Sequence, residues 1–106
     1  MTLRSVCSLA DVPVGTALRV DVDGREIDVV NLGDGEVRAL DAVCSHEQYY
    51  LDEGEVDVED RTIECPKHGS VFDLDTGIPR ALPATRPVAV YEARIDDDDI
   101  LIEVEP

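Results

Sequence analysis

The sequence predicts an all-β fold built from short antiparallel strands. Apolar and polar residues alternate with a period of two over short runs, the pattern of strands with one face covered. Gly, Asp and Pro break those runs at close intervals, as tight turns require. No stretch carries the three-to-four-residue apolar spacing of a long helix.

The elements follow in order. A first strand is expected around Cys7, and Ser8 to Asp11 suggests a single helical turn. Leu18, Val20 and Val22 alternate with polar residues, and Asp23-Gly24 then offers a two-residue hairpin turn. Ile27 and Val29 continue the next strand to Val30, the chain turns over Asn31 to Gly35, and Val37, Ala39 and Asp41 alternate along a third. Near the end, Val88 to Ile95 and Ile100 to Val104 read as a hairpin pair across Asp96–Asp99, four aspartates best placed in a solvated turn. Between these groups, residues 43–83 are rich in Cys, His, Gly and Pro, with short strands expected at Thr62–Glu64 and Val71–Asp73. The expectation is one domain over residues 1–106, an antiparallel sandwich-like base with a loop-built insertion. Loops on a rigid scaffold are where binding chemistry is usually placed.

Composition narrows the function. Apolar residues form 43% of the 106, enough for a globular core and too many for a disordered chain. Three Tyr, one Phe and no Trp leave that core to Val, Ile, Leu and Ala. A core so small gains from a metal centre. The net charge of −16 opposes nucleic acid and anionic membrane surfaces as partners, and Lys67 is the sole lysine. The same charge suits either solubility or docking on a basic protein surface. The N-terminal stretch carries no apolar run, twin-arginine signal or lipidation motif, so a soluble cytoplasmic monomer is the expectation. Three cysteines in such a setting point to metal or redox chemistry rather than a disulfide framework.

The chemistry sits in the insertion. Cys44-Ser45-His46 and Cys65-Pro66-Lys67-His68-Gly69 hold both histidines of the chain and two of its three cysteines. Two Cys and two His complete a ligand set for zinc or for an iron–sulfur cluster. Zinc fingers tend to pair like ligands along the chain, whereas here each loop supplies one thiolate and one imidazole. That division suits a two-iron cluster with both sulfurs on one iron and both nitrogens on the other. Cys7 has no such box and reads as a small core residue. Tyr49 and Tyr50, beside the first box, suit either partner docking or packing over the loop.

The C-x-H and C-x-x-H boxes resemble the Rieske signature. Leu51 and Gly54 after the first box, His68-Gly69-Ser70 with Phe72 and Asp75-Thr76-Gly77 after the second, and Leu82-Pro83-Ala84 as a cluster-covering loop extend the likeness. Within that family the chain is most similar to small stand-alone ferredoxins, including the ferredoxin components of ring-hydroxylating dioxygenases and related actinobacterial proteins. The resemblance implies the Rieske fold and one 2Fe–2S cluster. Cys44 and Cys65 would ligate the inner iron, and His46 and His68 the outer one through Nδ1. Ser70, Phe72 and Pro83 would surround it. It also implies an electron carrier rather than an enzyme, served by a flavin-dependent reductase and delivering to a terminal oxygenase. With both histidines committed, none remains for a mononuclear iron. High-potential members of the family carry an extra disulfide and a tyrosine where this chain has Tyr49, Lys67 and Phe72, which implies a potential near the low end of the Rieske span. An accessory role in iron–sulfur assembly, a nitrite reductase small subunit and a zinc-stabilised interaction module stand as alternatives.

Overall fold

The computed structural model describes residues 2–44, 49–66, 69–81 and 86–104. Its strands are β1 (Thr2–Ser8), β2 (Ala17–Val22), β3 (Arg25–Gly33), β4 (Glu36–Asp41), β5 (Val56–Asp57), β6 (Thr62–Glu64), β7 (Val71–Asp73), β8 (Pro79–Ala81), β9 (Val90–Tyr91), β10 (Ala93–Asp96) and β11 (Asp99–Val104). They form three antiparallel sheets, in the orders β1-β11-β10, β2-β3-β4-β9 and β5-β6-β7-β8. The all-β expectation holds. The helical elements among the described residues are two 3-10 turns, Leu9–Asp11 and Leu51–Glu53. The first is capped at both ends of a capping box by Ser8 and Asp11, as the Ser8 to Asp11 stretch suggested.

The tight turns lie close to where their residues demand them. Asp23 and Gly24 join β2 to β3 with φ of 54° and 87°, the doubly positive pair of a hairpin turn matched to strand twist. The expected Asn31–Gly35 turn is shorter: β3 runs on to Gly33, and only Asp34 and Gly35 turn. Asn31 stays in the strand because its amide is committed, donating to the Val12 carbonyl at 2.8 Å and accepting from Gly33 at 2.9 Å. The aspartate run is the exposed β10–β11 turn, with Asp97 at φ 60°.

One strand expectation needs correction. Val88 to Ile95 is not a single strand: Val90–Tyr91 pairs with β4, and Ala93–Asp96 pairs with β11 in another sheet. Packing changes along the segment as well, Val88 entering one apolar core while Tyr91, Ala93 and Ile95 pack on the other.

Those two cores share β3. Ile27 and Val29, with Val37 and Ala39, pack against Ile100, Ile102 and Val104 of the first sheet. Val30 and Leu32, with Leu40, pack against Cys44, Leu51, Ile63, Cys65, Phe72, Leu74 and Val88. Every residue from Ile27 to Leu32 is buried, so β3 is a wall between two interiors.

Two features hold the third sheet in place. At Gly54 a Cβ would collide with the Glu64 carbonyl and press on Pro66 Cδ at 3.3 Å. Its φ of −92° is open to any residue, so glycine is needed there for space. Across the sheets, Asp75 takes both Nε and Nη2 of Arg61 at 3.0 Å and Nε of Arg38 at 2.6 Å, and Arg61 also pairs with Glu36. This joins the β3–β4 hairpin to the β7–β8 turn.

Gly54→Ala should lower stability by about 1–3 kcal/mol, the range for overpacking a filled site, measured by thermal unfolding. The two guanidinium partners, Arg61 first, hold the Asp75 carboxyl down at about 2. Because the folded value lies below the usual 3.8, its stabilisation is complete above that pH and is lost as the pH falls towards 2. All three side chains are partly solvated, so Asp75→Asn should cost about 1 kcal/mol at neutral pH. The gap from wild type should close on acidification, read from unfolding midpoints across that range.

Candidate metal centre

Each cysteine opens a loop that its own backbone closes. After β4, the Ala42 N–H donates to the Glu26 carbonyl at 3.0 Å, and Ala42 in turn accepts from Leu51 at 2.7 Å. Val43 bridges Tyr50, and the Cys44 N–H donates to the Tyr49 carbonyl at 2.8 Å. These rungs tie residues 42–44 to residues 49–51. After β6, the Cys65 N–H donates to the Ser70 carbonyl at 2.7 Å, and the Gly69 N–H returns to the Cys65 carbonyl at 3.2 Å. Gly69 makes that return with φ of 75°, a left-handed conformation that suits glycine. A bond from the Glu64 N–H to the Glu55 carbonyl at 2.8 Å ties the exit of the first loop to the entry of the second.

Cys44 and Cys65 are 4% and 1% exposed and belong to one apolar cluster with Phe72, Leu51 and Leu74. Ser70 and Phe72 are fully buried in the same region. The structure thus brings together, beneath the loops, four of the residues singled out in the sequence. His46, His68, Lys67 and Pro83 lie outside the described residues. Two buried thiols presented from adjacent clamped loops, each followed by a histidine in its box, are a donor set that fits a cluster with mixed sulfur and nitrogen ligation.

The surroundings separate the two tyrosines. Tyr49 is 39% exposed. Tyr50 is half-buried, its ring lying 3.6 Å from the Arg19 guanidinium carbon. A hydrogen bond to Glu26 pushes the Tyr50 hydroxyl above its usual pKa. One tyrosine faces outward, then, and the other packs the loop against β2 and β3. Cys7 sits half-buried against the core of the first sheet, with burial and then Asp11 and Asp99 raising its thiol pKa. That is the environment of a packing residue.

Asp75, Thr76 and Gly77 build the turn between β7 and β8, at the end of β7 away from the second loop. Asp73 Oδ1 accepts from the N–H groups of Asp75 and Thr76 at 2.8 and 3.1 Å, and the Gly77 N–H donates to the Asp73 carbonyl at 2.7 Å. A Cβ on Gly77 would strike the Val88 carbonyl, which explains glycine there.

One functional candidate escaped the sequence reading. Asp28 is fully buried on the cysteine side of β3 and approaches Asp52 of the Leu51–Glu53 turn. The available signal was an acid inside the apolar run Ile27-Asp28-Val29-Val30, which alternation alone assigns to solvent.

No helix among the described residues is long and apolar enough to cross a membrane. The Rieske 2Fe-2S domain family matches residues 2–92. The 3-phenylpropionate/cinnamic acid dioxygenase ferredoxin subunit of Escherichia coli (strain K12) is 41% identical over 98 residues, covering 92% of this chain and 90% of that protein. The ferredoxin of carbazole 1,9a-dioxygenase from Nocardioides aromaticivorans IC177 superposes with a TM-score of 0.93 at 38% identity, covering 99% of this chain and 100% of that one. A chain from the complex of reduced oxygenase and oxidized ferredoxin in carbazole 1,9a-dioxygenase gives 0.86 at 31% identity, with 97% of each chain covered. With its cysteine loops so arranged and matches of this extent, the chain belongs to the Rieske 2Fe-2S domain family.

Proposed function

We propose that Cys44, His46, Cys65 and His68 hold one Rieske-type 2Fe–2S cluster, and that the chain shuttles single electrons from a flavin-dependent reductase to a terminal oxygenase. The observation that carries this reading is the convergence of Cys44 and Cys65, both buried, from two backbone-clamped loops onto one core. A bound cluster supplies one-electron chemistry, at a potential raised by imidazole in place of two thiolates.

The protein's own residues do the rest. The clamped loops hold the thiolates in position before any metal arrives, which reduces the ordering needed to bind it. Leu51, Phe72 and Leu74 keep water from the sulfur side. Ser70, buried one residue beyond Gly69, would act on the second loop's side of the cluster. Tyr49, 39% exposed beside the first box, is available to a redox partner. The ferredoxin captured with its oxygenase supports the same delivery step here. Residues 1–106 act as a single Rieske domain, with the 43–83 insertion as its cluster-binding part, working as a cytoplasmic monomer. Because the two histidines are the cluster's, the oxidation itself occurs on the partner.

Purified protein should be brown, with two irons per chain and a reduced-state electron paramagnetic resonance signal of the Rieske type. Cys65→Ser should abolish all three. Colourless protein with one zinc per chain would defeat the reading. With Phe72 lacking a hydroxyl, a redox titration should fall nearer about −150 mV than about +300 mV, the ends of the Rieske span. A midpoint above about +100 mV would contradict that placement.

A further inference from the structure

Asp28 presents a problem that the electron-carrier reading does not use. Both of its carboxyl oxygens and Asp52 Oδ1 are buried without a hydrogen-bond donor at full geometry among the described residues. An ionised carboxylate so placed is costly, and two facing each other are worse. From β2, Arg19 lies directly across the strand pair and, among the described residues, offers the positive charge that acts on Asp28. From β4, the cross-strand neighbour is the fully buried Leu40. From the Leu51–Glu53 turn come the Asp52 carboxyl and, more weakly, its backbone N–H. The Arg19 guanidinium is shared, since it also covers the Tyr50 ring.

We propose that Asp28 keeps its proton and donates it in a hydrogen bond to Asp52, and that this bond is a positioning contact seating the first cysteine loop on β3. An O–H donor resolves the geometry, because a protonated acid donates where a carboxylate only accepts. Burial first, and then Asp52, push the Asp28 carboxyl up to about 9, against the smaller opposing pull of Arg19. The location gives the bond its role. Asp52 follows Leu51, whose N–H closes the base of the loop on Ala42, and Ala42 itself bonds to Glu26 on β3. The loop base is therefore fixed to the sheet on one side by Tyr50 with Arg19 and Glu26, and on the other by Asp52 with Asp28.

The sign of the pH effect follows. The fold holds a proton that the unfolded chain releases near 3.8, so this pair favours the fold most at low pH and progressively less as the pH rises towards 9. Loss of that proton leaves a buried negative charge on Asp28 against the half-buried Asp52 and loosens the turn.

The role assigned to the loop rests on the cluster reading; the proton on Asp28 does not. Infrared spectra of the purified protein at about pH 7.5, well above the ordinary carboxyl range, test the proton itself. One protonated-carboxyl C=O band should be present, should disappear on alkaline titration, should be missing from Asp28→Asn, and should shift in frequency in Asp52→Asn, where burial still holds the Asp28 proton but its hydrogen-bond partner has changed. An absent band in wild type, or one that survives in Asp28→Asn, overturns the proposal whether or not the protein is brown. For the seating role, the rate at which a chelator strips iron from the holoprotein should rise by up to about tenfold per pH unit as the proton leaves. It should rise more weakly in Asp28→Asn, whose amide donates to Asp52 without a proton to lose. Equal steepness in the two proteins overturns the seating role. Should Asp28→Asn fail to fold, Asp52→Asn and the wild-type band still decide the matter.

Discussion

Strand β3 sends Ile27 and Val29 into one apolar core and Val30 and Leu32 into another, and an antiparallel strand can do that only if a further layer covers each side. The first sheet supplies one cover through Ile100, Ile102 and Val104. The other cover comes from the cysteine-bearing insertion, with Phe72, Leu51, Ile63 and Leu74. The insertion is thus not an appendage on a finished domain. Without it, one face of β3 would present its apolar residues and Asp28 to water, and without β3 the short strands β5–β8 would lack a core to close on. Placement of the two thiols and stability of the base sheet are one packing problem.

The insertion has few long strands to hold it, so its position depends on close contacts rather than on extended ladders. Gly54 and Gly77 allow backbone to approach backbone at Glu64 and Val88. The Arg38–Arg61–Asp75–Glu36 network crosses from one sheet to the other at the rim, where water weakens each pair but the multiple bonds share one geometry. The Asx-type turn at Asp73 then sets the direction of the chain from β7 into β8. Residues that mark the family in sequence, such as Gly54 and the Asp75-Thr76-Gly77 run, prove here to be packing and turn devices rather than groups aimed at a metal.

Much of this was legible in the chain because its signals are local. Asp-Gly turns, alternation and the paired boxes each depend on a few neighbouring residues, so the hairpins, the β6 and β7 strands and the cysteine loops were found at or near their places. Three features escaped because they are decided by distant parts of the chain. Val88–Ile95 reads as one strand until two different sheets compete for its halves. Asn31 reads as a turn former until the Val12 carbonyl claims its amide. Asp28 reads as a solvent-facing position until the insertion buries the second face of β3. Alternation reports one covered face; it says nothing about a strand covered on both.

The acidity of the chain acts on a different scale from its buried groups. A net charge of −16 spread over an exposed surface is screened beyond about 10 Å at moderate salt, so it bears mainly on how a partner approaches. Charges held inside the fold are screened far less. A carboxyl pair beneath the first loop therefore influences the cluster region more per charge than the aspartates of the β10–β11 turn, which lie in solvent. Keeping the buried Asp28 neutral limits the negative charge inside a fold that must itself accept an electron. The surface can then be strongly acidic for encounter without the interior carrying the same penalty, and the two requirements on the carrier, recruitment and reducibility, fall on separate sets of residues.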